Sequence, residues 1–321
     1  MGSLEIFKGG KAMTPRERAA AALTLNTPDM VPTFELEFQL EEEMFGKKFL
    51  RQSDLTGKTG KERERLIAEN AEYMVEVYEK LEYSIIPVHY LDWDGILELI
   101  KQIRRLVGNK YMITTHGDGT FDIPDGNEMY AFAYSIADDP DGMKAKAESK
   151  ANEAIEKNKR LAEAGADCLI LCADYCYNSG PFLSPQMFAE FIQPYLYKII
   201  AEARKLGLYT IKHTDGNIMP IIDQMLECNP HAFHSLDPMA GVDIKAVKQR
   251  YGDRVCLCGN VNCALMQTGS DQEVIESAEY CLTYAKPGGG YIYCTSNVPF
   301  KGLDPERYKL ILDVWKRMRA Y

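Results

Sequence analysis

The sequence contains no apolar stretch near the roughly 20 residues needed to cross a bilayer. Its first residues, MGSLEIFKGGKAM, also lack the apolar core of a secretory signal. A membrane-spanning chain is therefore not expected, and a cytoplasmic location is. The opening Met-Gly invites comparison with a myristoylation signal, but Ile6 stands where that signal requires Ser or Thr. Positive charge is in deficit: 37 Lys and Arg oppose 47 Asp and Glu, for a formal charge of -10. Nucleic acids and anionic membranes are both disfavoured as general partners, because the summed field repels them. No linker-like or low-complexity segment divides the 321 residues, so one domain spanning 1–321 is expected.

No Gly-x-Gly-x-x-Gly turn follows an early strand, which removes the dinucleotide-binding version of an α/β chain. Cysteine pairs at C-x-x-C spacing are absent as well. The nine cysteines are scattered over a long chain and read as reduced thiols, not as a disulfide framework.

What is present is a regular alternation. Eight apolar runs, at 32–37, 83–89, 110–116, 167–173, 207–213, 231–236, 254–259 and 290–295, read as strands. Helical patterns lie between them, clearest at 61–80, 94–106, 140–164, 186–206, 271–285 and 305–319. Eight strands alternating with helices fit a closed parallel (βα)8 TIM barrel. Before the first strand, TPRERAAAALTL supplies Thr14 as a cap, Pro15 at the first helical position and Glu17 three residues after the cap. That pattern predicts an N-terminal helical extension which plugs or flanks the barrel.

Active sites of such barrels lie at the C-terminal ends of the strands. Those ends supply Glu35 and Glu37, then His89, then His116 and Asp118, then Asp174 and Tyr177. His213 and Asp215 follow, then Asp237, Cys258 with Cys263, and finally Cys294 and Asn297. Of the five histidines only His234, in mid-strand, reads as structural. The stretch KHTDGN supports two readings. Asp215-Gly216 can make a turn with Asn217 capping a following helix, or His213 and Asp215 can form a metal or substrate site at the barrel mouth. Imidazole, carboxylate and thiolate are the usual zinc ligands. Cys168, Cys172 and Cys256 fall inside apolar runs and read as core, with Cys228 and Cys281 on helices. Cys263 and Cys294 remain candidate thiolate ligands.

Several stretches, in this order along the chain, resemble the uroporphyrinogen decarboxylase superfamily. They are MTPRERAAAALTLNTPDMVP, SGPFLSPQMFAEFIQPYLYKII, KHTDGN, HSLDP, YGDRVCLCGNVNCALMQTGS and PGGGYIY. The resemblance implies a (βα)8 barrel. It also implies either porphyrinogen decarboxylation or methyl transfer between a small substrate or carrier and the cobalt of a corrinoid protein. Decarboxylases of this superfamily carry an Arg-rich RQAGR-type stretch after the first strand, where this chain has FELEFQLEEEMFG. Glutamates there would repel a polyanionic porphyrinogen by several kcal/mol, in rough terms, at close range. The thiol-alkylating methyltransferases hold zinc with a His-x-Cys pair after the fifth strand and a Cys after the eighth. Here Asp215 stands in the first of those Cys positions and Asn297 in the second.

The resemblance thus implies demethylation of a small methylated donor, a methoxylated aromatic or a methylamine, onto a corrinoid held by a partner protein. On that reading His213, Asp215 and Asp174 are the expected catalytic residues, and His213, Asp237 and Cys263 the expected ligands of a Zn²⁺ ion. Glu35, His116, Tyr177 and Asn297 are expected to bind substrate. The alternatives are a decarboxylase of a small acid or porphyrinogen, and a barrel that binds a corrinoid or tetrapyrrole without turning it over. Ionisable groups at nearly every strand end favour an enzyme.

Overall fold

A computed structural model describes residues 12–321; the readings of the extreme N-terminus fall on residues 1–11, outside that range. Seven parallel strands form one curled sheet: β1 (Ile85–Pro87), β2 (Met112–His116), β3 (Cys168–Cys172), β6 (Tyr209–Thr214), β7 (Ala232–Ser235), β8 (Cys256–Cys258) and β9 (Tyr291–Ile292). After β3 a separate antiparallel hairpin is inserted, with strands β4 (Cys176–Tyr177) and β5 (Gly180–Pro181). The main strands are near-continuous apolar runs because helices cover one face and the barrel interior the other; CLILC of β3 is buried over four of its five residues. Among the described residues no helix is long and apolar enough to cross a membrane.

The architecture is TIM-barrel-like, with one departure from the expected eight strands. Residues 32–37 do not form a strand. Thr33 makes a single parallel bridge to Tyr293, and this extended segment lies between the two edges of the sheet. Tyr293 donates its amide to the Pro32 carbonyl (2.9 Å), and Ser84 donates to the Thr33 carbonyl (2.7 Å). Pro32 has no N–H to continue a ladder. The Thr33 hydroxyl donates instead to the Tyr293 carbonyl at 2.8 Å.

The helices follow their sequence signals. Trp93–Val107 is capped by Asp92, whose side chain accepts the Gly95 amide, and it buries Ile96, Leu97, Leu99, Ile100 and Ile103 along one face. Each such side chain contributes about 1.5–3 kcal/mol. The expected helix at 186–206 is broken into Pro185–Phe191 and Gln193–Lys205, with Ile192 outside helical geometry (φ -125, ψ -54). Pro194, at the start of the second piece, lacks the N–H that a continuous helix would need. The N-terminal helix Pro15–Leu23 has its full capping box. It sits under the N-terminal ends of the strands, where Arg16 donates its amide to the Lys110 carbonyl (3.0 Å) and pairs with Asp167 (2.9 Å). The barrel mouth, at the other end of the strands, is left open for chemistry.

Candidate active site

His213 lies near the end of β6, 3 % exposed. Its Nδ1 faces Nδ1 of His234 at 2.8 Å, so one ring donates a proton to the other. That contact turns Nε2 of His213 toward two carboxylates, each 3.8 Å away: Oδ1 of Asp174 and Oδ1 of Asp215. Burial, with the Lys212 charge next in weight, pushes the His213 imidazole down to about 3, so the ring is neutral. His234, expected to be merely structural, is the residue that orients it.

The HTDG turn is built for this placement. Gly216 has φ +83, and a Cβ there would sit 2.4 Å from the Cys176 carbonyl oxygen, so only glycine lets the turn pack against the β4–β5 hairpin. Asp174 Oδ1 accepts the Asp215 amide at 2.9 Å. Asp215 Oδ1 accepts from Ser235 (2.7 Å), and its Oδ2 accepts from the Asn297 amide group (2.6 Å). Burial, helped by the nearby charges of Asp174 and Asp237, raises Asp215 to about 6. Ser235 and Leu236 both carry positive φ (77 and 49), a conformation uncommon for residues with side chains. No helix begins at Asn217; its side chain accepts the Met219 amide, and the next helix is Ile222–Glu227.

Asp174, His213 and Asp215 each offer a ligand atom, and these atoms lie within 4.8 Å of one another. The expected set of His213, Asp237 and Cys263 is not assembled in this way. Asp237 spends its carboxylate on backbone amides, Oδ2 on Gly216 (3.2 Å) and Oδ1 on Met239 (2.9 Å). Cys263 turns its sulfur toward the Val298 carbonyl (3.7 Å), and burial pushes the thiol up to about 11. Cys294 is fully buried, with its thiol raised well above the ordinary range by burial.

Glu35, expected to line the pocket, is instead 1 % exposed beneath it. It accepts from the Thr295 hydroxyl (2.5 Å), the Thr295 amide (3.1 Å) and the Tyr308 hydroxyl (3.2 Å), and burial raises it to about 8. Tyr177 stands at the rim, 46 % exposed. A buried ion pair supports the floor: Lys212, 0 % exposed, reaches Asp118 Oδ2 (2.9 Å) and the Ala173 carbonyl (3.0 Å), and lies 3.9 Å from the centre of the Tyr175 ring. Sequence reasoning missed Lys212 because it sits within an apolar strand run.

Across the mouth, Glu37, His89 and His116 form a second group whose ligand atoms lie within 4.8 Å of one another. His116 thus lies beside Glu37 and His89 and not beside Asp174 and Asp215. The adjacent His116 is the main reason the Glu37 carboxyl falls to about 2, and burial takes His89 down to about 3.

The family model described as uroporphyrinogen decarboxylase matches residues 125–317. Among solved structures, a methyltransferase from Methanosarcina mazei superposes with a TM-score of 0.71 at 19% identity, covering 95% of this chain and 99% of that one. A sugar phosphate isomerase/epimerase from Parabacteroides distasonis reaches a TM-score of 0.43 at 11% identity, covering 89% of this chain and 95% of that one. No curated protein matches the chain in sequence.

Proposed function

The chain belongs to the uroporphyrinogen decarboxylase family, and from that premise we propose that it is a corrinoid-dependent methyltransferase. It moves a methyl group from a small donor, a methoxylated aromatic or a methylamine, to the cobalt of a corrinoid carried by a partner protein. The observation that carries this reading is the group around His213: one imidazole and two carboxylates, with no cysteine in the set. Zinc that activates a thiol acceptor is commonly held by thiolates, whereas an oxygen-rich set leaves the ion more electrophilic toward an oxygen or nitrogen leaving group. The Methanosarcina mazei methyltransferase is a likeness in fold that agrees with this reading.

The residues fit a divalent ion. Asp174 and Asp215 stand beside a neutral imidazole, and burial, helped by the neighbouring charges of Asp174 and Asp237, raises the Asp215 carboxyl. Asp174, His213 and Asp215 would hold zinc, whose chemistry here is Lewis-acid polarisation of the donor's leaving atom. His234 keeps the His213 ring turned toward the mouth. Ser235 and Asn297 hold the Asp215 carboxylate in one orientation, and Asp174 fixes the turn through the Asp215 amide. Tyr177 at the rim borders the donor's path into the mouth.

The same residues argue against a porphyrinogen. Glu37, Asp174, Asp215 and Asp237 give the mouth a negative lining, while Lys212 is engaged by Asp118 and Arg51 by Glu41 (2.7 Å). A substrate bearing many carboxylates meets repulsion with no free cation offered by these pairs. The test is a panel of methoxyarenes and methylamines incubated with the protein and reduced cobalamin, beside uroporphyrinogen alone. Cobalamin methylation with at least one donor and an unchanged porphyrinogen are expected. Carboxyl loss from the porphyrinogen would overturn the reading.

A further inference from the structure

We infer that Glu37, His89 and His116 form a second divalent-metal site, separate from the Asp174, His213 and Asp215 group. His89 Nε2 lies 2.9 Å from the Leu36 carbonyl, an acceptor only, so Nε2 must carry the proton. Nδ1 is then a bare lone pair. It is buried without a hydrogen-bond partner, on a residue only 6 % exposed. An imidazole whose tautomer is fixed by a backbone carbonyl, with the other nitrogen unpaired, is the arrangement that metal-ligating histidines adopt.

Glu37 is prepared in a similar way. Its Oε2 accepts from the Tyr90 hydroxyl (3.1 Å) and the Gln39 amide (3.2 Å), which fixes the carboxylate and turns Oε1 toward His116. Oε1 lies 3.7 Å from Nε2 of His116. That separation is long for a hydrogen bond but near the distance of about 3.4 Å between two ligands of one tetrahedral zinc ion. The His89 and His116 rings lie 4.4 Å apart, centre to centre.

Two imidazoles and one carboxylate are a facial donor set with positions to spare. It suits a borderline divalent ion, Zn²⁺ or Fe²⁺, over Mg²⁺ or Ca²⁺. The three residues line a cavity of about 360 Å³ whose other walls include Val88, Leu91, Trp93 and Ile96. The open positions of the ion would therefore take an oxygen or nitrogen donor on a small molecule with an apolar body.

Metal counting tests this independently of methyl transfer. Full-length protein, stripped with a chelator, is titrated with Co²⁺ and followed by its d–d absorption, then with Zn²⁺ by calorimetry. Two equivalents are expected. His116→Gln and Glu37→Gln should each remove or weaken one of them by at least on the order of 10²-fold, with melting temperatures near wild type, and His213→Gln should remove the other. One equivalent that is lost in His116→Gln yet kept in His213→Gln upholds this site and takes the ion away from His213. Wild-type protein that binds no ion, or only the one lost with His213, overturns the inference. So does wild-type stoichiometry and affinity in both His116→Gln and Glu37→Gln.

Discussion

The two ends of the sheet treat their carboxylates in opposite ways. At the N-terminal end Asp167 receives Arg16 (2.9 Å), the Arg104 guanidinium and the Ile113 amide (2.9 Å), so each charge has a partner. At the mouth, Asp174 and Asp215 face each other across a neutral His213, and among the described residues no lysine or arginine pairs with either. The first arrangement ties the N-terminal helix, β2 and β3 together. The second leaves uncompensated negative charge where a ligand can reach it, which a purely structural turn would have no reason to keep. The contrast separates what holds the fold from what we propose does the chemistry, and substitutions at each end should break different properties.

The largest effect is expected at His213. His213→Gln should lower the rate of corrinoid methylation by on the order of 10²-fold or more, with the urea midpoint shifting modestly. A rate near wild type would move this turn to a structural role. At the other end, Asp167→Asn should cost about 3 kcal/mol in urea unfolding, because the two guanidinium groups lose their charged acceptor. Methylation per folded molecule should stay near wild type; a matching loss of rate would erase the distinction between the two ends.

How far the contrast was legible in the sequence depends on whether it rests on local or long-range features. The buried strands were readable because both faces are covered, and the Thr14 capping box because it is a four-residue pattern. The first strand was over-read: its apolar pattern is real, but Pro32 removes a donor and reduces the pairing to one bridge at Thr33. His213, Asp215, Asp174 and Asn297, all read from the sequence as strand-end residues, are brought together by the fold. Asp237 and Cys263 sit at the same level and share the same chemistry, yet one carboxylate is consumed by backbone amides and the other side chain turns to a carbonyl. Nothing in residue type or spacing reports that. Glu35 and Glu37, two residues apart, both read as strand-end residues, and regular strand alternation would put them on one face; the chain instead bends at Leu36, and Glu35 is buried against Thr295 while Glu37 reaches His116. The role of the Leu36 carbonyl in fixing His89 is equally invisible from side-chain identity.

Asp215→Asn sharpens the comparison at lower amplitude. The amide can still form the turn but is a poor ligand, so a loss of about tenfold in rate is expected, smaller than that of His213→Gln. The smallest effect is a pH signature in metal-free protein. Because the folded Asp215 carboxyl is raised to about 6 from an ordinary 3.8, the folded state holds a proton that the unfolded state has lost between those values. Its contribution to stability is full below about 3.8 and declines as the pH rises through about 6. Wild-type protein should therefore lose about 1 kcal/mol relative to Asp215→Asn across that window, a figure reduced for the partial exposure of the group. Chemical unfolding of both proteins at pH 4 and pH 7 measures it. Parallel curves would mean that the carboxylates do not strain the mouth.

Isotopic labelling follows the proposed methyl transfer at the mouth atom by atom. Full-length protein is given reduced cobalamin and donors carrying a ¹³C-methyl group, and the cobalt-bound methyl is followed by NMR. The account predicts that the label passes from at least one methoxylated aromatic or methylamine to cobalt in wild-type protein and fails to do so at a comparable rate in His213→Gln. Label that stays on every donor while uroporphyrinogen loses carboxyl groups in the same preparation would contradict it.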